Sequence, residues 1–229
     1  MPPDPFKNRL LAGLPRGDSD ILVQAGQVLE LPQGTVLGEP GQEASDVYFP
    51  LAGMVSLVVV MRNGKALETG TVGREGVVSA MAGLGTHIPH VRSVVQVEHA
   101  SFRLPAVAFR RIVKAKPNVA LLCIDYNETL LAQARITAAC NSLHQVEARF
   151  CRWLLQTSDR TGPDSITLTQ EFLSEMLGVR RTSVTDVASK FARAGIIAYS
   201  RGKIVILDRK RLIASSCECY ETLRELAPA

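Results

Sequence analysis

A chain of 229 residues with 46% hydrophobic side chains can fill two compact cores, so two domains are the first expectation. Its 26 Lys and Arg against 22 Asp and Glu leave a net charge of +4, a mild excess that excludes a polybasic, histone-like protein and assigns no partner by itself. The N-terminal residues lack an apolar core and no run of about eighteen apolar residues occurs, so neither a secretion signal nor a membrane span is expected and the protein is placed in the cytoplasm.

From residue 34 to 104 ten glycines punctuate short runs rich in Val, Leu and Phe, the pattern of an antiparallel β domain. The clearest hairpin joins 54–61 to 66–72, with Asn63-Gly64 supplying the positive φ angles of a tight turn. Two further strands are expected over 91–97 and 100–104. From Pro105 the period changes. Residues 118–157 contain neither Gly nor Pro and repeat their apolar positions at helical spacing, which predicts one or two long helices. A heptad register fits Val119, Leu122, Tyr126, Ile136, Cys140 and Leu143, with Thr129 and Gln133 as polar exceptions, and its length and a/d spacing favour a seam between two subunits over an ordinary core stripe. The polar stretch Arg160-Thr161-Gly162-Pro163-Asp164 then breaks the chain before a last, smaller domain.

The strongest local signal lies between 167 and 207. Thr169 can cap a helix whose apolar face is Phe172, Leu173, Met176 and Leu177; Thr167 with Gln170 is an alternative capping pair. Gly178 allows a sharp turn and Val179 can plug it. The next helix buries Val184, Val187, Ala188 and Phe191 at i, i+3, i+4 and i+7 before Gly195 ends it. Its other face offers Arg180, Arg181, Thr182, Ser183, Thr185, Asp186, Ser189 and Lys190, donors suited to the edges and phosphates of a DNA major groove. Residues 199–206 form a hairpin whose basic tip, Arg201 and Lys203, can reach backbone phosphate. The DNA-contacting set is therefore Thr169, Arg180, Arg181, Thr182, Ser183, Thr185, Asp186, Lys190, Arg201 and Lys203.

These residues resemble the Crp/Fnr family of bacterial transcription regulators, over almost the whole chain. The resemblance implies an α+β fold: an N-terminal antiparallel β-roll of the cyclic-nucleotide-binding kind (1–117), a long dimerisation helix (118–145) and a C-terminal winged helix-turn-helix (146–229). It implies a homodimer reading a near-palindrome in double-stranded DNA, with RNA polymerase as a further candidate partner and no membrane. Arg181 takes the place of the family's base-reading arginine. Thr182 stands where many members have Glu and Asp186 where others carry a second Arg, so a distinct operator is expected. In the sensor, Gly73-Arg74-Glu75-Gly76 occupies the phosphate-binding position and Arg92-Ser93 looks like the pair that holds a cyclic phosphate. The effector set is thus Gly73, Arg74, Glu75, Arg92 and Ser93. The family's ribose-binding Glu falls at Arg74, one residue before Glu75, and the pair contacting adenine falls at Ala134 and Arg135, so an effector other than cyclic AMP is expected.

The five cysteines, Cys123, Cys140, Cys151, Cys217 and Cys219, contain no CxxC pair, which fits reduced thiols better than a disulfide framework or a zinc site; no metal and no cofactor are expected. None precedes Cys123, where oxygen-sensing relatives cluster theirs for an iron-sulfur centre. In the heptad register Cys140 would face its copy, leaving an inert thiol or an intersubunit disulfide as alternatives. Two other function classes stay open. One is a cyclic-nucleotide-binding module that signals through protein partners, which Arg181, Arg201 and Lys203 argue against. The other is a cupin-like metal enzyme, for which His87-x-x-His90 lacks the strand spacing; no enzyme is expected.

Overall fold

In the computed structural model, which describes residues 3–162, 165–200 and 202–226, the chain folds as two compact units, one of residues 3–59 and 70–132 and one of residues 60–69 and 133–226. The first begins with helices α1 (Arg9–Gly13) and α2 (Arg16–Gln24), followed by strands β1 (Gln27–Leu31), β2 (Val36–Gly38), β3 (Asp46–Pro50), β4 (Met54–Val60), β5 (Ala66–Val72), β6 (Arg92–Val97) and β7 (His99–Pro105). Helices α3 (Ala106–Ala115) and α4 (Pro117–Leu143) follow. The strands form two antiparallel sheets ordered β1-β7-β3 and β2-β6-β4-β5. Alternation along the strands sends one face of each into a common core, where Phe49 pairs in register with Phe102 and Val55 with Val95. All four are buried, and Phe49 also meets Phe109 of α3 edge-on at 6.3 Å between ring centroids. Helix α3 turns Ala106, Phe109, Ile112 and Val113 inward, one stripe of an amphipathic helix.

The β4–β5 connection differs from the expected two-residue turn. Met61 N–H donates to the Lys65 carbonyl and Gly64 N–H to that of Met61, and only Gly64 has a positive φ, +80°. Asn63 instead accepts the Lys65 amide on its side chain. The result is a three-residue loop closed by a glycine in the left-handed region, a common hairpin alternative.

Helix α4 corrects the expected heptad seam. Val119 and Tyr126 are buried in the first unit's core together with Cys123, while Gln133, Thr137 and Cys140 are buried in the second unit. The apolar residues left facing outward are Leu121, Ile124, Leu131 and Leu143, 44–78% exposed. Two apolar stripes run along one helix at the same spacing, and spacing alone does not say which of them the chain itself covers. With Cys140 fully buried beside Cys217 of the same chain, it does not face its own copy.

The second unit holds the rest: α5 (Val146–Thr161), β8 (Ser165–Thr167), α6 (Gln170–Leu177), α7 (Arg181–Arg193), β9 (Ile197–Ser200), β10 (Lys203–Ile206), α8 (Arg209–Ala214) and α9 (Cys219–Glu225). The sequence break after Arg160 coincides with the end of α5 at the Gly162 cap; Pro163 and Asp164 lie outside the described residues. Strands β8, β10 and β9 make a small antiparallel sheet in that order. Among the described residues no helix is long and apolar enough to cross a membrane.

Truncating Phe49→Ala removes a fully buried ring packed on Phe102 and on Phe109 of α3, and should cost about 3–5 kcal/mol in urea unfolding followed by circular dichroism. His99 gives a pH signature. Burial pushes its pKa below the ordinary histidine value although Nδ1 lies 2.7 Å from the Val97 carbonyl. The unfolded chain therefore binds the proton first, so the contribution is intact above about pH 6.5 and is lost as pH falls below it. His99→Phe should flatten the acid limb of Tm measured against pH.

Candidate DNA-binding surface and effector pocket

Helix α6 starts where Thr169 Oγ1 accepts the Phe172 amide at 3.2 Å and ends at Gly178, whose φ of +63° reverses the chain. Val179 N–H then returns to the Ser174 carbonyl, completing a tight turn into α7. The inward face of α7 is Val184, Val187, Ala188 and Phe191, all buried as the spacing predicts, and Phe191 stacks on Phe150 of α5 at 5.9 Å. This packing fixes which face of α7 meets solvent. Arg180, Arg181, Thr182, Asp186, Ser189 and Lys190 are exposed there, with Ser183 and Thr185 half-buried at its edges.

The N-terminus of α7 is capped by Arg180, whose side chain accepts nothing from the first turn. The first-turn amides thus have no acceptor on the cap side chain and stand beside two exposed arginines, a combination that suits a phosphate oxygen. At the other end Arg211 of α8 donates to the Ala194 carbonyl at 3.0 Å and satisfies the helix terminus. The β9–β10 hairpin places Lys203, exposed, directly opposite Ser200. Arg201, expected at its tip, lies outside the described residues.

Two residues expected to contact DNA already have partners. Thr185 Oγ1 lies 3.1 Å from Gln170 Oε1 and donates to one of two acceptors, the other being the Arg181 carbonyl at 3.0 Å, so it couples α6 to α7. Lys190 pairs with Glu147 of α5 at 3.4 Å across an exposed surface, a contact weak enough for a phosphate to displace. Sequence offers Gln170 only as a partner in a capping pair and does not single out Arg211, because both roles depend on which helix faces them.

In the sensor unit the expected effector residues are brought to two places. Gly73 and Glu75 close a turn in which the Gly73 amide donates to Glu75 Oε1 at 3.1 Å; Glu75 is buried while Arg74 is exposed. The hydroxyl of Tyr126 on α4 lies 1.9 Å from where a side-chain carbon at Gly76 would stand, so this turn and α4 approach as closely as glycine permits. Ser93 is buried on β6, and Arg92 directs its guanidinium to Glu39 at 3.0 Å. An anion binding Arg92 must compete with that carboxylate. His87 and His90 stand in no cluster of three or more potential metal ligands among the described residues.

A β-roll of this kind followed by a helix-turn-helix with a small hairpin sheet is the architecture of a DNA-binding transcription regulator. The cyclic nucleotide-binding domain pattern matches residues 28–116 and the Crp-like helix-turn-helix domain pattern residues 148–215, together more than half of the chain. The chain belongs to the Crp/Fnr family of transcription regulators. Among solved structures, a transcriptional regulator of the Crp/Fnr family from Eubacterium rectale is similar at a TM-score of 0.72 and 19% identity, over 96% of this chain and 99% of that one. FixK2 from Bradyrhizobium japonicum is similar at 0.70 and 15%, over 84% and 98%, and a Crp/Fnr regulator from Thermus thermophilus at 0.66 and 23%, over 89% and 99%. At these identities the likeness is one of fold. No curated protein matches the sequence.

Two substitutions test the local geometry. Thr169→Ala removes the α6 cap and should cost about 1 kcal/mol. Gly178→Ala imposes a left-handed backbone on a side chain, roughly 1–2 kcal/mol, and also meets Leu67 Cδ1 at 2.6 Å. Both are read in denaturant titrations through Trp153, the single tryptophan, which sits in the same unit.

Proposed function

We propose that this Crp/Fnr regulator binds a two-fold symmetric operator as a homodimer, reading bases with the outer face of α7 and gripping phosphate with the β9–β10 wing. The observation that carries the reading is the exposed, donor-rich face of α7, led by Arg180 and Arg181 and held outward by Val184, Val187, Ala188 and Phe191. Arg181 can bond a guanine edge bidentately; Thr182, Ser183 and Asp186 set the neighbouring contacts, and Lys203 meets backbone. Thr169, Thr185 and Lys190 serve the helix pair first and DNA second.

The outward stripe Leu121, Ile124 and Leu131 on α4 supports dimerisation, because it repeats at i, i+3 and i+10 and is partly exposed in the single chain. Two recognition helices about 34 Å apart then meet successive major grooves. The sensor is proposed to respond to an effector other than cyclic AMP. Arg74 stands in place of a ribose-binding acid, Glu75 is engaged by its own turn, and Arg92 is paired with Glu39. Gly73, Arg74, Glu75, Arg92 and Ser93 remain the candidate contacts.

Selection of bound sites from a random double-stranded DNA pool, with and without cyclic AMP or cyclic GMP, tests both parts. The expected outcome is a two-fold symmetric site recovered without added cyclic AMP. Arg181→Ala should weaken binding to it by about 1–3 kcal/mol and relax one base position, while Lys203→Ala weakens all sequences alike and lowers the salt slope by about one. Failure to enrich any site, with or without nucleotide, would count for a module that docks on protein instead.

A further inference from the structure

The second unit contains a cluster that the DNA-binding function does not use. Cys140 and His144 lie one helical turn apart at the end of α4, and Cys217 and Cys219 flank Glu218 at the start of α9. Their four ligand atoms lie within 4.8 Å of one another. Cys140 Sγ is 3.6 Å from Cys217 Sγ, and Cys219 Sγ is 3.7 Å from His144 Nδ1. The three cysteines are buried and His144 is half-buried.

We propose that Cys140, His144, Cys217 and Cys219 bind one zinc ion as a closed, structural site. Zn–S bonds of about 2.3 Å and Zn–N bonds of about 2.0 Å in a tetrahedron place ligand atoms roughly 3.6–3.8 Å apart, which matches the Cys140–Cys217 and Cys219–His144 contacts, and the other pairs lie within 4.8 Å. Three thiolates and one imidazole form an established structural ligand set, and four protein ligands leave no position for a substrate.

Two further observations point to a metal rather than to four neutral groups. The first is the far nitrogen of the imidazole: His144 Nε2 lies 3.1 Å from the Glu218 carboxylate, which would orient the ring and hold Nδ1 toward the sulfurs as a carboxylate does behind a metal-bound histidine. The second is charge. Arg149 and Arg152 of α5 are buried, their charges act on the cysteine cluster, and neither has a carboxylate partner among the described residues. Arg149 donates to the Leu177 carbonyl, Arg152 donates to Gln156 Oε1 at 2.5 Å, and the Nε of each has no acceptor. Buried guanidinium groups require a counter-charge, and three thiolates around one Zn²⁺ carry a net charge of −1. Neutral thiols would leave both cations unanswered.

The site joins residues 77 positions apart in the chain and ties the segment before α9 to the end of α4. Its role is to hold the unit together, in the sense that ligand binding free energy adds to folding free energy.

The test is metal content and coordination of the full-length protein, purified under reducing conditions from zinc-supplemented cells. One zinc per chain by mass spectrometry is expected. Titration of the demetallated protein with Co²⁺ alone should give thiolate-to-cobalt charge-transfer and tetrahedral d–d absorption that saturate at one equivalent and are abolished by Zn²⁺. Cys217→Ser and His144→Ala should lose stoichiometric zinc, Glu218→Ala should weaken zinc binding roughly 10- to 100-fold, and Cys123→Ala, in the other unit, should keep it. Because a ligand variant can misfold, the cobalt spectrum of the unmutated protein decides the ligand set independently. Absence of zinc together with a cobalt titration lacking charge-transfer bands would overturn the proposal, as would a Cys140–Cys217 disulfide mapped in the freshly purified protein, which would make the pair a redox couple instead.

Discussion

The second unit depends on a helix with almost no free side. Residues 149–155 of α5 are buried without interruption, a run that covers the whole circumference of a helix rather than one stripe. Each direction has its own partner. Phe150 stacks on Phe191 of the recognition helix, Arg149 reaches the Leu177 carbonyl at the end of α6, and Trp153 donates to Glu68 of β5 at 3.0 Å. Nearer its C-terminus, Asp159 accepts from Tyr220 at 2.9 Å and pairs with Arg209. The outward aim of Arg180 and Arg181 is therefore decided at α5, which touches no operator itself.

The burial of polar groups on α5 is costly unless each is bonded, and the structure largely meets that demand locally. Thr157 returns to the Trp153 carbonyl at 2.9 Å, Ser158 accepts from Arg209, and the Trp153 indole has a carboxylate acceptor. The guanidinium groups of Arg149 and Arg152 are the exceptions, and it is beside them that the cysteines gather. A helix that buries this many polar groups is thus a hub of specific bonds.

Much of this was legible in the residues. Glycine punctuation marked the β-roll, the change of period at Pro105 marked the helices, and Thr169, Gly178 and the Val184-to-Phe191 spacing marked the helix-turn-helix to within a residue or two. Local rules suffice where a cap, a turn glycine or one amphipathic stripe decides the outcome. They failed where two solutions share one pattern. The apolar positions of α4 fit a core stripe as well as the subunit seam that their length and spacing favour, and burial of Val119, Tyr126 and Cys140 selects the core. Likewise, the absence of a CxxC pair hid a cluster assembled from an i, i+4 pair and a C-x-C pair far apart in the chain, because only the fold of the second unit brings them together.

The buried positions of α4 also divide one helix between two cores. Its buried positions serve one unit with Val119, Cys123 and Tyr126 and the other with Gln133, Thr137 and Cys140, inside a single uninterrupted helix. Each residue added or removed between them turns one buried face of the helix against the other by about 100°, while Cys140 and His144 stay with Cys217 and Cys219, which belong to the same unit. An insertion of about seven residues nearly restores the original face.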